Sequence, residues 1–468
     1  MAVSQRLNIL FQQKQIQMYD SAMSIYSVDL PYHIDAADYY ETLTDLEWAV
    51  WLDSAGMARY DILAAAPVRK LIVDDSSGSL DPFEWIRGEL GKRESSVEGV
   101  PFAGGALGYW GYDLAHRIHP GLKVIKKNVP GNPVEMAIGI YDWAFVLDHE
   151  YKTAKLVSHR RYSETERALP GVLSRLKNRK PKNNQVDQFE VKGEIGSNFT
   201  KKEYSSSFDS IKKYLKSGDT YQINLSQRFN AAASGDALGA YQTFRKMSPA
   251  PYSAFLNFEK TQILCASPER FLLVRDGFVE TKPIKGTRPR SSDASEDTRL
   301  VDELRVHPKD RAENLMIVDM LRNDLSKSCK KGSISVPKIF EVESFSNVHH
   351  LVSTVTGTLD EGQDAMHLLK NCFPGASVTG APKLRAMQII EQLEPVQRGV
   401  YCGSIGYVGF DGNMDTNIVI RTLVYNGKEI RGWAGGGIVA DSDCSAEYQE
   451  TLDKASSMLE LLQMYRVS

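Results

Sequence analysis

The residues Thr281 to Arg290, reading TKPIKGTRPR, hold a lysine, Lys285, between a Pro-Ile pair and a Gly-Thr pair. Pro283 fixes one backbone angle and Gly286 lets another group come close to the chain, so the stretch is suited to aiming a side chain. A lysine in a partly desolvated pocket gives up its proton more readily than the free side chain, whose pKa is about 10.4, and only the neutral amine attacks carbon. Lys285 is therefore a candidate nucleophile; a solvated turn is the alternative for a lone Lys-Gly pair. Upstream, ILCASPERFLLV and FVETKPIKGT read as two consecutive strands turning at Asp276-Gly277, which sets Glu269 opposite Lys285 across a hairpin. A carboxyl and an amine so placed can serve as acid and nucleophile, or form a structural ion pair.

Two glutamates offer a second chemistry. In KDRAENLMIVDMLRNDLSK, Pro308 suits the first turn of a helix, and the spacing aligns Glu313 with Met316, Ile317 and Met320. A carboxylate on an apolar stripe is costly to bury unless a cation or hydrogen bonds satisfy it. The last helix, SAEYQETLDKASSMLELL, puts Tyr448, Leu452, Ala455 and Leu459 on one face and Glu447, Glu450 and Lys454 on another; periodicity alone favours a solvated acidic face. Glu313 and Glu450 can nonetheless share one hard cation such as Mg2+ through oxygen ligands, with water and substrate completing the shell. Gly435-Gly436-Gly437 follows a strand and reads as a nest of backbone N–H groups for a carboxylate. Arg421, on the preceding strand IVIRTL, can bind a second one bidentately.

The elements that carry these groups follow from local signals. EWAVWLDSAG and RYDILAAAP read as two strands joined by a loop, and MAIGIYDWAFVLDH as a further strand. The glycines of GGALGYWGY lack the Lys-Ser/Thr ending of a phosphate loop and indicate close strand packing against aromatics. TKKEYSSSFDSIKKYLKSGD opens with an N-cap Thr200, has Glu203 three residues on and ends near Gly218. YQINLSQRF alternates as a strand, with Gln222, Asn224 and Ser226 on one face, towards a pocket or water. A change to Lys, Asn, Gln, Pro and Gly between about 176 and 197 marks a boundary, dividing the chain into regions 1–195 and 196–468.

Composition excludes several classes of function. The 468 residues are 42% hydrophobic, enough for a large core, and 56 basic against 59 acidic side chains give a net charge of -3, no field for nucleic acid or an anionic membrane. The basic run Lys177 to Lys182 reads as a solvated linker. Five cysteines, odd in number and never in a CxxC arrangement, argue against a disulfide framework or a zinc site and fit a reducing cytoplasm. The N-terminal residues around Arg6 and Lys14 carry no export signal, and no run of about eighteen apolar residues suggests a membrane span.

Taken together, SPERF, PIKGTRPR, AENLMIVDMLRNDL, HHLVSTVTG, TGAPKLRAM, CGSIGYVGFDGNMDT, IRTL, AGGGIVADS and EYQETLDKA closely resemble the chorismate-utilising enzymes, in order and over nearly all of Ser197 to Ser468. GGALGYWGYD and GIYDWAFVLDH resemble that family's N-terminal region. The resemblance implies an α+β fold of two large, mostly antiparallel sheets packed together with helices outside, and a site in a cleft of the C-terminal part. The position of Lys285 is alanine in members that form anthranilate, isochorismate or salicylate, and lysine in those that aminate chorismate at C4. The position of Gln222 is a water-activating lysine in the isochorismate and salicylate enzymes. The resemblance thus implies a transferase that forms 4-amino-4-deoxychorismate, on the route to para-aminobenzoate and folate.

It further implies that Mg2+ on Glu313 and Glu450 binds the ring carboxylate of chorismate, helped by the amides of Gly435, Gly436 and Gly437. Tyr407 and Arg421 hold the enolpyruvyl carboxylate, Lys285 attacks C2, and Glu269 protonates the departing 4-hydroxyl. Gln222, Gly286, Thr287, His350 and Ser377 match positions lining the pocket. Ammonia needs a source, and no cysteine context here resembles a glutaminase nucleophile elbow, so a separate glutamine amidotransferase subunit is implied, giving a heterodimer. Leu52, Ser54, Arg59, Tyr60, Pro251, Tyr252 and Ser253 match the place where anthranilate-forming members bind tryptophan. An anthranilate-forming enzyme and a non-catalytic tryptophan-binding subunit of the same fold are the competing expectations.

Overall fold

The computed structural model describes residues 25–122, 134–179, 188–345 and 348–467. The N-terminal residues around Arg6 and Lys14 and part of the basic 177–182 run lie outside them. The runs AVWL, ILAA and AFVL are continuously apolar because the strands they form are covered on both faces. Val50 and Ile62 belong to a core shared with Leu107, Ile138, Leu272 and Val408, while their neighbours Trp51 and Leu63 join Phe145, Leu169, Val172 and Leu461 on the opposite side. The layers are therefore sheet against sheet, with helices outside the first sheet.

That first sheet has thirteen strands and the second has ten. Pairings are antiparallel throughout, apart from the parallel contact of Arg466–Val467 with Glu190–Ser197 and an isolated bridge between Gln188 and Asp236. Strands from before and after the composition change share both sheets. Ala49–Asp53 pairs with Tyr252–Phe258 in the first, and Gly105–Trp110 lies between Met136–Tyr141 and Ser404–Gly409 in the second. The α+β fold of two packed, mostly antiparallel sheets is thus the observed one.

The run MAIGIYDWAFVLDH is two strands rather than one. Met136–Tyr141 belongs to the second sheet and Trp143–Asp148 to the first, with the break at the buried Asp142. ILCASPERFLLV divides in the same way into Thr261–Ser267 and Arg270–Arg275. Apolar periodicity cannot reveal such a break, because both halves are buried. Local capping signals are obeyed: helix Lys201–Lys216 starts at Thr200 with a reciprocal cap to Glu203, and helix Pro308–Leu325 carries its proline in the first turn.

One buried ion pair ties together segments that meet under the site. Arg398, 1% exposed, donates to both carboxylate oxygens of Glu394 at 2.6 and 2.9 Å and to the carbonyls of Val378 and Asn224 at 2.9 Å each. Glu394 in turn accepts from the amide of Ser226 at 2.9 Å. Removing one member leaves an uncompensated charge in the interior. We predict that Arg398→Met lowers the unfolding free energy by about 3–5 kcal/mol, measured by urea denaturation. A loss below about 1 kcal/mol would show that the pair does not anchor these segments.

Candidate active site

The site opens where the chain passes between sheets. Pro268 and Glu269 form one crossing; the amide of Ile418 donates to the carbonyl of Glu269 at 2.9 Å, and the hydroxyl of Ser267 donates to the carbonyl of Ile418 at 2.5 Å. The backbone polar groups of the crossing are thereby paired, and the Glu269 side chain is left buried and facing a cavity. Burial pushes its pKa up, against the Lys285 ammonium, the Ser377 hydroxyl and the Ile284 amide, which favour the carboxylate. A carboxyl so placed can hold a proton for a leaving group.

A second crossing runs from Met414–Asn417 in the second sheet to Thr422–Tyr425 in the first. Arg421 lies at this crossing rather than within a strand, with φ +49°. Such a backbone is costly for a residue other than glycine and is found where a side chain must be aimed. Its guanidinium is largely buried, which lowers its pKa, and among the described residues it makes no ion pair. A cation held out of water in this way is suited to an anionic ligand.

Lys285 reaches the same cavity by a bulge. In the pairing of Ile284–Pro289 with Val348–Thr358, Ile284 is opposite Val352 and Thr287 opposite His350, so Lys285 and Gly286 together face a single residue. Gly286 has φ +77°, and a Cβ there would stand 2.8 Å from Cγ of Asp310, so only glycine fits. The extra residue re-aims Lys285, whose ammonium donates to the carbonyl of Ser377 at 3.3 Å. Glu269 and Lys285 are not the two arms of one hairpin: the turn at Asp276-Gly277 joins Arg270–Arg275 to Phe278–Thr281, and Lys285 lies on the next strand. They meet through the cavity.

Thr287 Oγ1 and His350 Nδ1 are 2.9 Å apart. Burial, with Arg421 and His349 nearby, lowers the His350 pKa to about 4, so the imidazole is neutral near pH 7.

The cavity, of ≈ 600 Å³, also takes in Glu313, Glu450, Ser377, Gly435 and Gly437. Burial raises the Glu313 pKa, Asp310 and Glu450 add to the rise, and Lys285 and Lys309 oppose it. Burial also acts to raise that of Glu450, but the neighbouring lysines, Lys454 first, bring it below the usual value.

Glu447 corrects the expectation of a solvated acidic face. It is 3% exposed, accepts from the Ser442 hydroxyl at 2.6 Å, and its Oε2 has no partner among the described residues. The glycine triplet is likewise not a nest. It lies inside strand Glu429–Ile438, laddered to Asn224, Leu225 and Ser226, so successive amides point in opposite directions. The glycines serve close approach: a Cβ on Gly436 would stand 3.1 Å from Glu447 Oε2 and 3.7 Å from Glu450 Oε1.

Donors that are all oxygen, Glu313 and Glu450 repelling one another, and an orphaned Glu447 oxygen fit a hard dication such as Mg2+ better than a soft one. Among the described residues no three His, Cys, Asp or Glu side chains form a complete metal cluster. The residues present would share the ion with water or a ligand.

Gln222 is fully buried under the triplet; among the described residues neither side-chain amide atom has a partner, and a Cβ on Gly437 would lie 2.5 Å from its Nε2.

Tyr407 is not in this cavity. Its hydroxyl accepts from Arg275 at 2.5 Å in a second cavity of ≈ 330 Å³. The tyrosine that does line the first cavity is Tyr401, buried and stacked on Trp433 with centroids 6.2 Å apart. No sequence signal separates these two tyrosines of VYCGSIGY. Glu447 had one, because its three-residue spacing from Glu450 puts both near one helix face. The second cavity is lined by Leu52, Arg59, Tyr60, Pro251, Tyr252 and Ser253. Ser54 is buried outside its lining, its amide donating to Asp61 at 2.5 Å.

The chain matches the chorismate binding enzyme family over residues 47–460. It belongs to that family. It is 42% identical to aminodeoxychorismate synthase component 1 of Escherichia coli (strain K12), covering 93% of this chain and 98% of that protein. It is 38% identical to anthranilate synthase component 1 of Aquifex aeolicus (strain VF5), over 78% and 75% of the two chains. The crystal structure of anthranilate synthase component I from Streptococcus pneumoniae TIGR4 superposes with a TM-score of 0.77 at 34% identity, covering 86% of this chain and 92% of that one. This chorismate binding enzyme is therefore a chorismate-utilising enzyme of the kind that includes both synthases.

The neutral His350 has a consequence for stability. Its folded pKa of about 4 lies below the ordinary value, so between about pH 6.5 and 4 the unfolded chain binds a proton that the native state does not. Stability present above pH 6.5 is lost as the pH falls through 4. We predict that in His350→Gln the difference in unfolding free energy between pH 7 and pH 4 shrinks by on the order of 3 kcal/mol relative to the parent. Equal pH dependence in the two would contradict it.

Proposed function

We propose that the protein converts chorismate and ammonia to 4-amino-4-deoxychorismate through a covalent lysine intermediate, on the route to para-aminobenzoate and folate. The observation that carries this reading is Lys285, aimed by the bulge into a cavity that also holds the protonatable Glu269. Arg421 takes the enolpyruvyl carboxylate of the substrate. Glu313 and Glu450 hold Mg2+, which supplies positive charge for the ring carboxylate. Neutral Lys285 attacks C2; the ring double bond shifts, the C4–O bond breaks, and Glu269 donates the proton with which water leaves. Ammonia then attacks C4, the double bond shifts back, the C2–N bond breaks to release Lys285 as the neutral amine, and the new ammonium returns a proton to Glu269. The sum is chorismate plus ammonia giving the amine and water, with no change of oxidation state. A lysine that occupies C2 first directs the amine to C4.

Ammonia is supplied by a separate glutaminase chain, in a heterodimer acting in the cytoplasm. The second cavity holds tryptophan as a structural or regulatory ligand, supported by the six matching residues that line it.

The test is incubation with chorismate, Mg2+ and ammonium salt, without glutaminase, and product identification by chromatography and mass. The parent is expected to form aminodeoxychorismate, Lys285→Ala to lose that product or divert it, and Glu269→Gln to slow turnover by roughly 100-fold or more. Anthranilate with pyruvate from the parent would assign the chain to the anthranilate-forming branch instead. Chorismate binding without turnover would make it a non-catalytic subunit.

A further inference from the structure

The carboxylates at the helix side of the cavity already carry cations of the chain itself. Lys454 Nζ is 2.6 Å from Glu450 Oε1 and donates to the Gly435 carbonyl on the cavity wall at 3.1 Å. Lys309 Nζ is 3.6 Å from Glu447 Oε1. A Glu–Lys pair four residues apart is ordinary on an exposed helix, where it contributes only a few tenths of a kcal/mol. Two features set this one apart. The oxygen that Lys454 occupies is the one that converges with the unpartnered Glu447 Oε2 on the space kept open by Gly436. The lysine also spends a second hydrogen bond on the strand that forms the wall, which tethers its half-exposed ammonium at the rim of the cavity.

A divalent cation on Glu450 competes for that same oxygen, because two positive centres close to it repel one another. We infer that Lys454 is a built-in placeholder for the cation. Its ammonium neutralises Glu450 while no cation is bound and leaves that oxygen when one arrives. The released ammonium stays tethered at the cavity, where an anionic substrate group is its next partner. Lys454 is thus a positioning residue that weakens cation binding to the free enzyme and strengthens it when substrate is present. This rests on Glu313 and Glu450 being the cation's ligands.

The experiment is Mn2+ binding to the full chain, followed by electron paramagnetic resonance in the absence of chorismate. Lys454→Gln is expected to bind Mn2+ roughly three- to ten-fold more tightly than the parent, and Lys454→Arg, which keeps the charge and the pair, to stay close to it. Lys309→Gln removes an equal charge from the same cavity without freeing Glu450, and its effect is expected to be smaller. At saturating Mg2+, Lys454→Gln is expected to raise the KM for chorismate more than it lowers kcat. Unchanged or weaker Mn2+ binding in Lys454→Gln, or equal tightening in Lys309→Gln, overturns the inference. Parent-like Mn2+ binding in Glu450→Gln instead overturns the ligand assignment beneath it, so the two failures are told apart.

Discussion

Buried backbone must find hydrogen-bond partners, and this fold meets that constraint under strain where continuous apolar runs change sheets. Asp142 accepts from the amides of Arg161 and Tyr162 at the first such crossing. Ser267, Glu269 and Ile418 satisfy one another where the other two meet. These crossings bring polar residues such as Asp142 and Glu269 into the interior. Residues close in the chain then face different spaces: Glu269 lines one cavity and its neighbour Arg270 the other, and Asn417 and Arg421, four residues apart, are divided between the two as well. The seam between the sheets both holds the layers together and separates two ligand-sized cavities.

The electrostatics of the larger cavity follow from its depth. Removing a charge from water costs several kcal/mol unless a counter-charge is near. The chain answers differently at each group: Glu269 and Glu313 shift upward, His350 becomes neutral, Glu450 pairs with Lys454, and Arg421 makes no ion pair among the described residues. A ligand bearing carboxylates completes this pattern, which is why a preorganised arrangement of this kind favours an anionic substrate over water.

Glu269 and Arg421 project from the crossings, and the remaining groups from strands and helices. Lys285 projects from a bulged strand, Glu313 and Glu450 from two long helices, and the Arg398–Glu394 pair fixes the loop before Thr379 to the strand that carries Asn224. Gly286 and Gly436 are the positions where a side chain would fill space that Asp310 or the carboxylates occupy. Geometry at the site is therefore set by close packing, and small changes there move the reacting groups.

Local information in the sequence was sufficient for much of this. The cap at Thr200, the helix start at Pro308, the hairpin at Asp276-Gly277 and the glycine-rich strand all depend on residues within a few positions of one another. Lys285, Glu269, Glu313, Arg421 and Glu450 were candidates by residue type, Glu450 against a periodicity that favours a solvated face, and all five line one cavity. Other features were decided only when distant segments met. The breaks at Asp142 and Pro268 are hidden because both halves of each run are buried. Tyr401 rather than Tyr407 faces the larger cavity because Tyr401 precedes strand Ser404–Gly409 and stacks on Trp433 of the first sheet, whereas Tyr407 lies within that strand beside Arg275. Glu447 is interior because the helix packs against a strand of glycines, and the triplet forms a ladder because Asn224 to Ser226 lie beside it. Periodicity reports which residues share a face; only tertiary packing decides what that face meets, because burial depends on segments distant in the chain, as where Gly435 to Gly437 lie beside Asn224 to Ser226.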